Sequence, residues 1–141
     1  MSLRVYRICR QVDARMDGLG AKKVGGRWNS PGRAVVYMAE GISLAVLENL
    51  VHMSRRDFPV GYVCVSALIP EDLVISDEHV MRDQLPPMSD TEIGDIWLTT
   101  LHSPVLRVRS AVVPGEFNYL INPPSRRVPE DRRGGRGAVR I

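Results

Sequence analysis

The sequence predicts an α+β fold in a single domain. Three observations carry that prediction. The chain has 141 residues, which fits one domain large enough to bury a proper core. Apolar and polar residues alternate in several short runs, the pattern of half-buried strands. The strand-like runs outnumber the helical ones and are not regularly interleaved with them, unlike repeated βαβ units.

The elements follow in order. LRVYRIC, 3–9, alternates apolar and basic residues and is predicted as a strand. Residues 10–33 are rich in glycine and polar residues with little periodicity, and they are expected to form a long, functional loop. AVVYMA, 34–39, is a short strand. A helix is expected over 43–56, with Ser43 as its cap. VGYVCVSALIP is a strand ended by proline, and 76–88 are expected to be irregular. SDTEIGDIWLTTLH, 89–102, is predicted as a helix opened by the capping box Ser89…Glu92. PVLRVRSAVVP is a strand between two prolines, and FNYLIN, 117–122, is the last short strand.

Charge is unevenly placed. The formal net charge is +3, but 126–141 hold six arginines against Glu130 and Asp131, which leaves the remainder at −1. The chain therefore divides into a nearly neutral body, 1–125, and a basic Arg/Gly-rich tail, 126–141, expected to be a loose extension. The body has no basic stripe of the kind that binds nucleic acid. No apolar run reaches the length of a membrane helix, and arginines occupy the start where a signal peptide needs apolar residues, so a cytoplasmic protein is expected. Cys9 and Cys64 lie in separate strand-like runs with no CxxC, as expected for inert thiols.

Common chemical motifs are missing. GLGAKK, 18–23, is neither GxGxxG nor a P-loop, and there is no GxSxG or HExxH. His52, His79 and His102 are too dispersed to suggest a metal site. The helix 43–56 is apolar on most sides, which predicts burial. Glu48 sits in its middle, with His52 one turn further along the same face. A carboxylate there is unfavourable unless it is paired or faces a cleft. Spacing alone slightly favours the other reading, a Glu on a narrow polar stripe with Asn49 and Arg55 near it. The glycines of VGGRWNSPG let backbone N–H groups approach an anion, and Arg27 offers a fork for phosphate. A surface turn with Trp28 as a core residue is the alternative. Tyr37 and Ser110 by themselves are a strand tyrosine and a strand-end hydroxyl.

Taken together, GGRWNSPG…VVYMAE…LAVLENLVH…IGDIWL…VLRVRSAVVPGEFNYLINP resembles the RES-domain family, toxins of bacterial toxin–antitoxin pairs named for Arg, Glu and Ser. The resemblance runs from RVYRI to INP. It implies an ADP-ribosyltransferase-like mixed sheet with a few helices, and an activity that inhibits growth by consuming NAD. The dispersed histidines leave no metal expected beside it. The resemblance also implies an Xre-like antitoxin that covers the active site in a hetero-oligomer and supplies the only contact with DNA.

By the same resemblance the family arginine falls on Arg27, the tyrosine on Tyr37, the glutamate on Glu48 and the serine on Ser110, and His52 matches a histidine that often follows the glutamate. Arg27 and Gly26 would meet the pyrophosphate, and Tyr37 would bound the nicotinamide. Ser110 would bond its amide or the ribose. Glu48, paired with Arg27 in the free site, would stabilise the oxocarbenium-like transition state, with His52 orienting it or activating water. Where the family often has Pro before the serine, this chain has Arg109. The acceptor stays open: water gives a glycohydrolase, phosphate a phosphorylase, a protein side chain an ADP-ribosyltransferase. A nucleic-acid-binding module using the Arg/Gly tail is the alternative from another class.

Overall fold

A computed structural model describes residues 2–51, 60–100 and 103–123, and the backbone of 138–140. Seven strands, β1 (Leu3–Arg10), β2 (Val36–Ala39), β3 (Tyr62–Ile69), β4 (Ile75–Asp77), β5 (Val105–Arg109), β6 (Phe117–Ile121) and β7 (Ala138–Arg140), form one mixed sheet in the order β4-β5-β6-β2-β1-β3-β7. β4 and β5 run parallel, and the other pairs are antiparallel. Four helices accompany it among the described residues: α1 (Leu19–Val24), α2 (Ile42–Leu50), α3 (Glu78–Gln84) and α4 (Asp90–Thr100). The fold is α+β, as the strand-heavy pattern predicts. No helix among the described residues is long and apolar enough to cross a membrane.

Cross-strand partners point to the same side of a sheet, so register assigns the faces. Tyr37 lies opposite Leu120, which lies opposite Leu106, and Tyr6 lies opposite Ala39. That face carries two apolar clusters. Val35, Leu106, Val108 and Leu120 pack with Trp28 and with Ile93 and Trp97 of α4. Ile8 and Ala39 pack with Leu44 and Ala45 of α2. Both α2 and α4 therefore sit on one face. The opposite face buries Val5, Val36, Met38, Ile69, Val105 and Ile121, with Leu73 and the partly buried Met16 against them. Trp97 anchors α4: its side chain is fully buried and its indole N–H donates to the Ser103 carbonyl at 3.0 Å. Burying a side chain of this size contributes on the order of 3 kcal/mol.

Several expectations need correction. The stretch 10–33 is not loop throughout; it contains a 3-10 turn and α1, whose Gly20 hides it from a pattern reading. The stretch 76–88 holds the end of β4 and the seven-residue α3, capped by Asp77, whose carboxylate accepts from the His79 N–H at 2.8 Å. Ser43 does not cap α2; the helix starts at Ile42 after Gly41, with no side-chain cap bond. The expected continuation to 56 lies mostly outside the described residues. α2 is also not buried all round. Leu44 and Ala45 are buried, but Ile42, Leu47, Leu50 and Val51 are exposed. A nine-residue helix lying on a sheet can bury only one stripe. The capping box of α4 is present in both directions: Glu92 N–H donates to Ser89 Oγ at 3.1 Å, and Ser89 N–H donates to Glu92 Oε1 at 3.4 Å. Within the tail, 138–140 add an edge strand to β3, which a reading of that stretch as a loose extension does not anticipate.

Candidate functional site

The stretch Gly26–Asn29 is a tight turn, closed by the Gly26 N–H donating to the Asn29 carbonyl at 3.0 Å. Asn29 is buried, and its amide nitrogen is directed at the carbonyls of Ala21, Ser30 and Arg33 at 2.9, 3.2 and 3.0 Å. The Tyr37 hydroxyl donates to Asn29 Oδ1 at 2.5 Å and accepts the Trp28 N–H at 3.1 Å. Burial pushes the Tyr37 phenol up to about 12, although the bond from the Trp28 backbone works the other way. Gly26 is required sterically. A Cβ there would lie 2.7 Å from the Tyr37 hydroxyl and 2.9 Å from Asn29 Oδ1.

α4 holds this turn from the other side. Thr91 Oγ1 donates to the Arg27 carbonyl at 2.9 Å, and Asp95 accepts from the Ser30 N–H at 2.9 Å and from its hydroxyl at 2.5 Å. Gly94 permits the contact: a Cβ there would sit 1.7 Å from the Trp28 carbonyl oxygen. The glycines, asparagine and Ser-Pro-Gly of the loop are thus explained first by its attachment to Tyr37 and α4. That attachment leaves the Arg27 side chain half exposed at the surface of the turn, with Nη2 2.8 Å from Asp90 Oδ2.

On α2, Glu48 is partly buried, and Ser110 Oγ donates to its Oε1 at 2.7 Å. Ser110 lies one residue beyond β5. Its oxygen accepts the backbone N–H groups of Val112 and Val113, both at 3.0 Å. With two donors fixed on the oxygen, its own proton is left for Glu48. One carboxylate oxygen is thereby aimed by a hydroxyl that the backbone holds.

A charged network adjoins Ser110. Glu78 is buried, and its carboxylate accepts the Arg109 backbone N–H at 2.8 Å, Arg109 Nη1 at 2.8 Å and Arg82 Nε at 3.0 Å. Arg82 Nη2 bonds Asp90 as well, so the network reaches the carboxylate that holds Arg27. A buried carboxylate with such partners is held in a fixed position.

Of the expected site residues, Glu48 and Ser110 are in direct contact, and Tyr37 and Gly26 meet at the turn that carries Arg27. The expected pairing of Arg27 with Glu48 is not found. Asp90, at the start of α4, is its partner, because the loop is fastened along that helix. His52 lies outside the described residues. Asp90, Gly94, Asp95, Glu78 and Arg82 were not picked out from the sequence as site residues. Glu78 and Arg82 are four apart on α3, a local sign of an ion pair, whereas the contacts of Asp90 and Asp95 with the loop join residues more than sixty apart. Among the described residues no group of three or more His, Cys, Asp or Glu could hold a metal ion.

The RES domain family model matches residues 4–136. Curated relatives include Toxin Res of Photorhabdus laumondii, 39% identical over 126 residues, covering 84% of this chain and 81% of the relative. The Prs ADP-ribosylating toxin of a Sphingobium species is 36% identical over 116 residues, covering 77% of this chain and 72% of the relative. Among solved structures, the MbcT-MbcA toxin-antitoxin complex of M. tuberculosis matches with a TM-score of 0.75 at 17% identity, over 100% of this chain and 85% of that one, a likeness of fold.

Proposed function

The chain belongs to the RES domain family of toxins, and we propose that it arrests growth by cleaving the nicotinamide–ribose bond of NAD. The observation that carries this reading is the Ser110–Glu48 bond at 2.7 Å, a carboxylate held in a fixed direction by a hydroxyl that two backbone N–H groups fix in turn. As the C1′–nitrogen bond breaks, its electron pair leaves with neutral nicotinamide and positive charge spreads over C1′ and the ring oxygen. Glu48 stabilises that charge, and its alignment by Ser110 means it need not reorganise during the reaction. An acceptor oxygen then bonds C1′ and releases its proton. Arg27 meets the pyrophosphate. Tyr37 and Gly26 act through the turn that presents Arg27, and the Tyr37 ring bounds the nicotinamide. His52 is proposed on the family resemblance alone, to orient Glu48 or activate water.

In this reading residues 1–125 carry the chemistry and 126–141 form the basic extension. The partner is an antitoxin of Xre-like type, bound over the site. Support comes from α2, where Ile42, Leu47, Leu50 and Val51 are exposed apolar side chains on or next to the helix that carries Glu48. A solved structure of similar fold is itself a toxin–antitoxin complex. DNA contact would come through the antitoxin. A second reading, ADP-ribosyl transfer to a protein, is favoured by the printed name of the Sphingobium relative.

The test is mass spectrometry of the products formed from NAD in phosphate buffer, in phosphate-free buffer and with cell extract. Free nicotinamide is expected in each, with ADP-ribose, its 1″-phosphate or a modified protein identifying the acceptor. No release of nicotinamide under any of these conditions would refute the proposal.

A further inference from the structure

Arg109 is the last residue of β5, and the structure gives it two bonds to one buried carboxylate. Its backbone N–H and its Nη1 both donate to Glu78, each at 2.8 Å. These tie the backbone and one guanidinium nitrogen to Glu78, while the side chain as a whole remains 53% exposed and its Nη2 reaches Asp90 Oδ1 only at 3.5 Å. Arg27 approaches the other oxygen of the same carboxylate and is 46% exposed. Arg82 is different: its three nitrogens are committed to Glu78, the Met88 carbonyl and Asp90. Three guanidiniums share two carboxylates, so one positive charge is left uncompensated at a surface from which Arg27 and Arg109 both project.

We propose that Arg109 is a second anion-binding arm of the site. With Arg27 it grips the pyrophosphate of a dinucleotide, while Asp90 sets the spacing of the two guanidiniums and Arg82 neutralises Asp90. The inference rests on the reading that Arg27 meets a pyrophosphate. Two forks suit a diphosphate better than one, since each can bond a different phosphate bidentately.

The probe is adenosine diphosphate, which carries a pyrophosphate and undergoes no cleavage at a nicotinamide bond. Its affinity for the full chain is measured by calorimetry, with adenosine as the phosphate-free control. Arg109→Gln is expected to weaken ADP binding about tenfold, the scale for one partly solvated charge-assisted contact, and to leave adenosine binding unchanged. The backbone N–H of residue 109 and Arg82 still bond Glu78 in that variant, and the melting temperature measured on the same preparation reports the loss of the Nη1 bond, so affinity is compared on folded protein only. Arg109→Lys, keeping the charge without the fork, is expected to fall between the two. Equal ADP affinity in Arg109→Gln and the parent, or no ADP binding by the parent, overturns the proposal. NAD consumption on the same preparations separates this from the proposed function. Consumption of NAD with unchanged ADP affinity in Arg109→Gln removes the second arm and leaves the activity. Weakened ADP binding without NAD consumption does the reverse.

Discussion

Replacing Gly94 with alanine tests whether α4 holds the arginine-bearing loop as described. Helix propensity alone predicts a gain, since alanine exceeds glycine by about 1 kcal/mol inside a helix. The contact predicts a larger loss. The new Cβ would lie 1.7 Å from the Trp28 carbonyl oxygen, where ordinary contact begins at 3.4 Å. The obstacle is backbone rather than the end of a flexible side chain, so the turn and the helix must separate by the difference. A shift of that size breaks the Thr91 bond to the Arg27 carbonyl and the Ser30 bond to Asp95, both 2.9 Å long. Overpacking costs about 1–3 kcal/mol, and each lost hydrogen bond about 1 kcal/mol. After the propensity gain, a net loss of about 2–4 kcal/mol remains. For a domain of this size that corresponds to melting roughly 10 °C lower. Thermal unfolding followed by circular dichroism measures it. A variant that melts at or above the parent temperature would refute the docking of the turn on α4.

Two further variants probe the turn and the aligned carboxylate. Tyr37→Phe removes the hydroxyl shared by Asn29 and Trp28, and it should also flatten the alkaline limb of the stability profile. The phenol is raised in the folded chain from 10.0 to about 12, so its contribution is complete below pH 10 and is lost as pH rises from 10 towards 12. Chemical denaturation across that range, with a slope equal to the parent's, would count against a buried phenol at this position. Ser110→Ala deletes the donor to Glu48 and the acceptor of two backbone N–H groups, so stability should fall by about 1–2 kcal/mol and NAD turnover by tenfold or more. Unchanged turnover per folded molecule would show that Ser110 does not aim Glu48.

Local pattern made some of this legible in the sequence and not the rest. β1 mixes apolar and basic residues, β3 alternates in burial over its eight residues, and α4 announces itself by the Ser89…Glu92 box, so local pattern and capping were enough. α1 and α3 are six and seven residues long, too short for a periodic stripe, and they gain stability from contacts rather than from propensity. α2 was misjudged for a related reason: composition counts apolar residues, but the sheet decides which of them are covered. The Ser110–Glu48 bond joins residues 62 apart, and no spacing rule reaches that far. Family resemblance pointed to both residues, while geometry alone supplied their contact. The same holds for Arg27, whose partner proved to be Asp90. Sequence could offer only a carboxylate already under suspicion, and Asp90 looked like part of a helix start.

Glu48→Gln tests the central claim most directly, with NAD affinity, NAD turnover and melting temperature measured on one preparation. The substitution keeps the side-chain volume and an oxygen that can accept from Ser110, but it deletes the charge. If that charge stabilises an oxocarbenium-like transition state, NAD should bind nearly as before while turnover falls on the order of a hundredfold or more. Arg27→Ala, measured in parallel, should weaken binding as well, because the pyrophosphate is charged in both the ground and transition states. Full turnover in a folded Glu48→Gln chain would contradict the account.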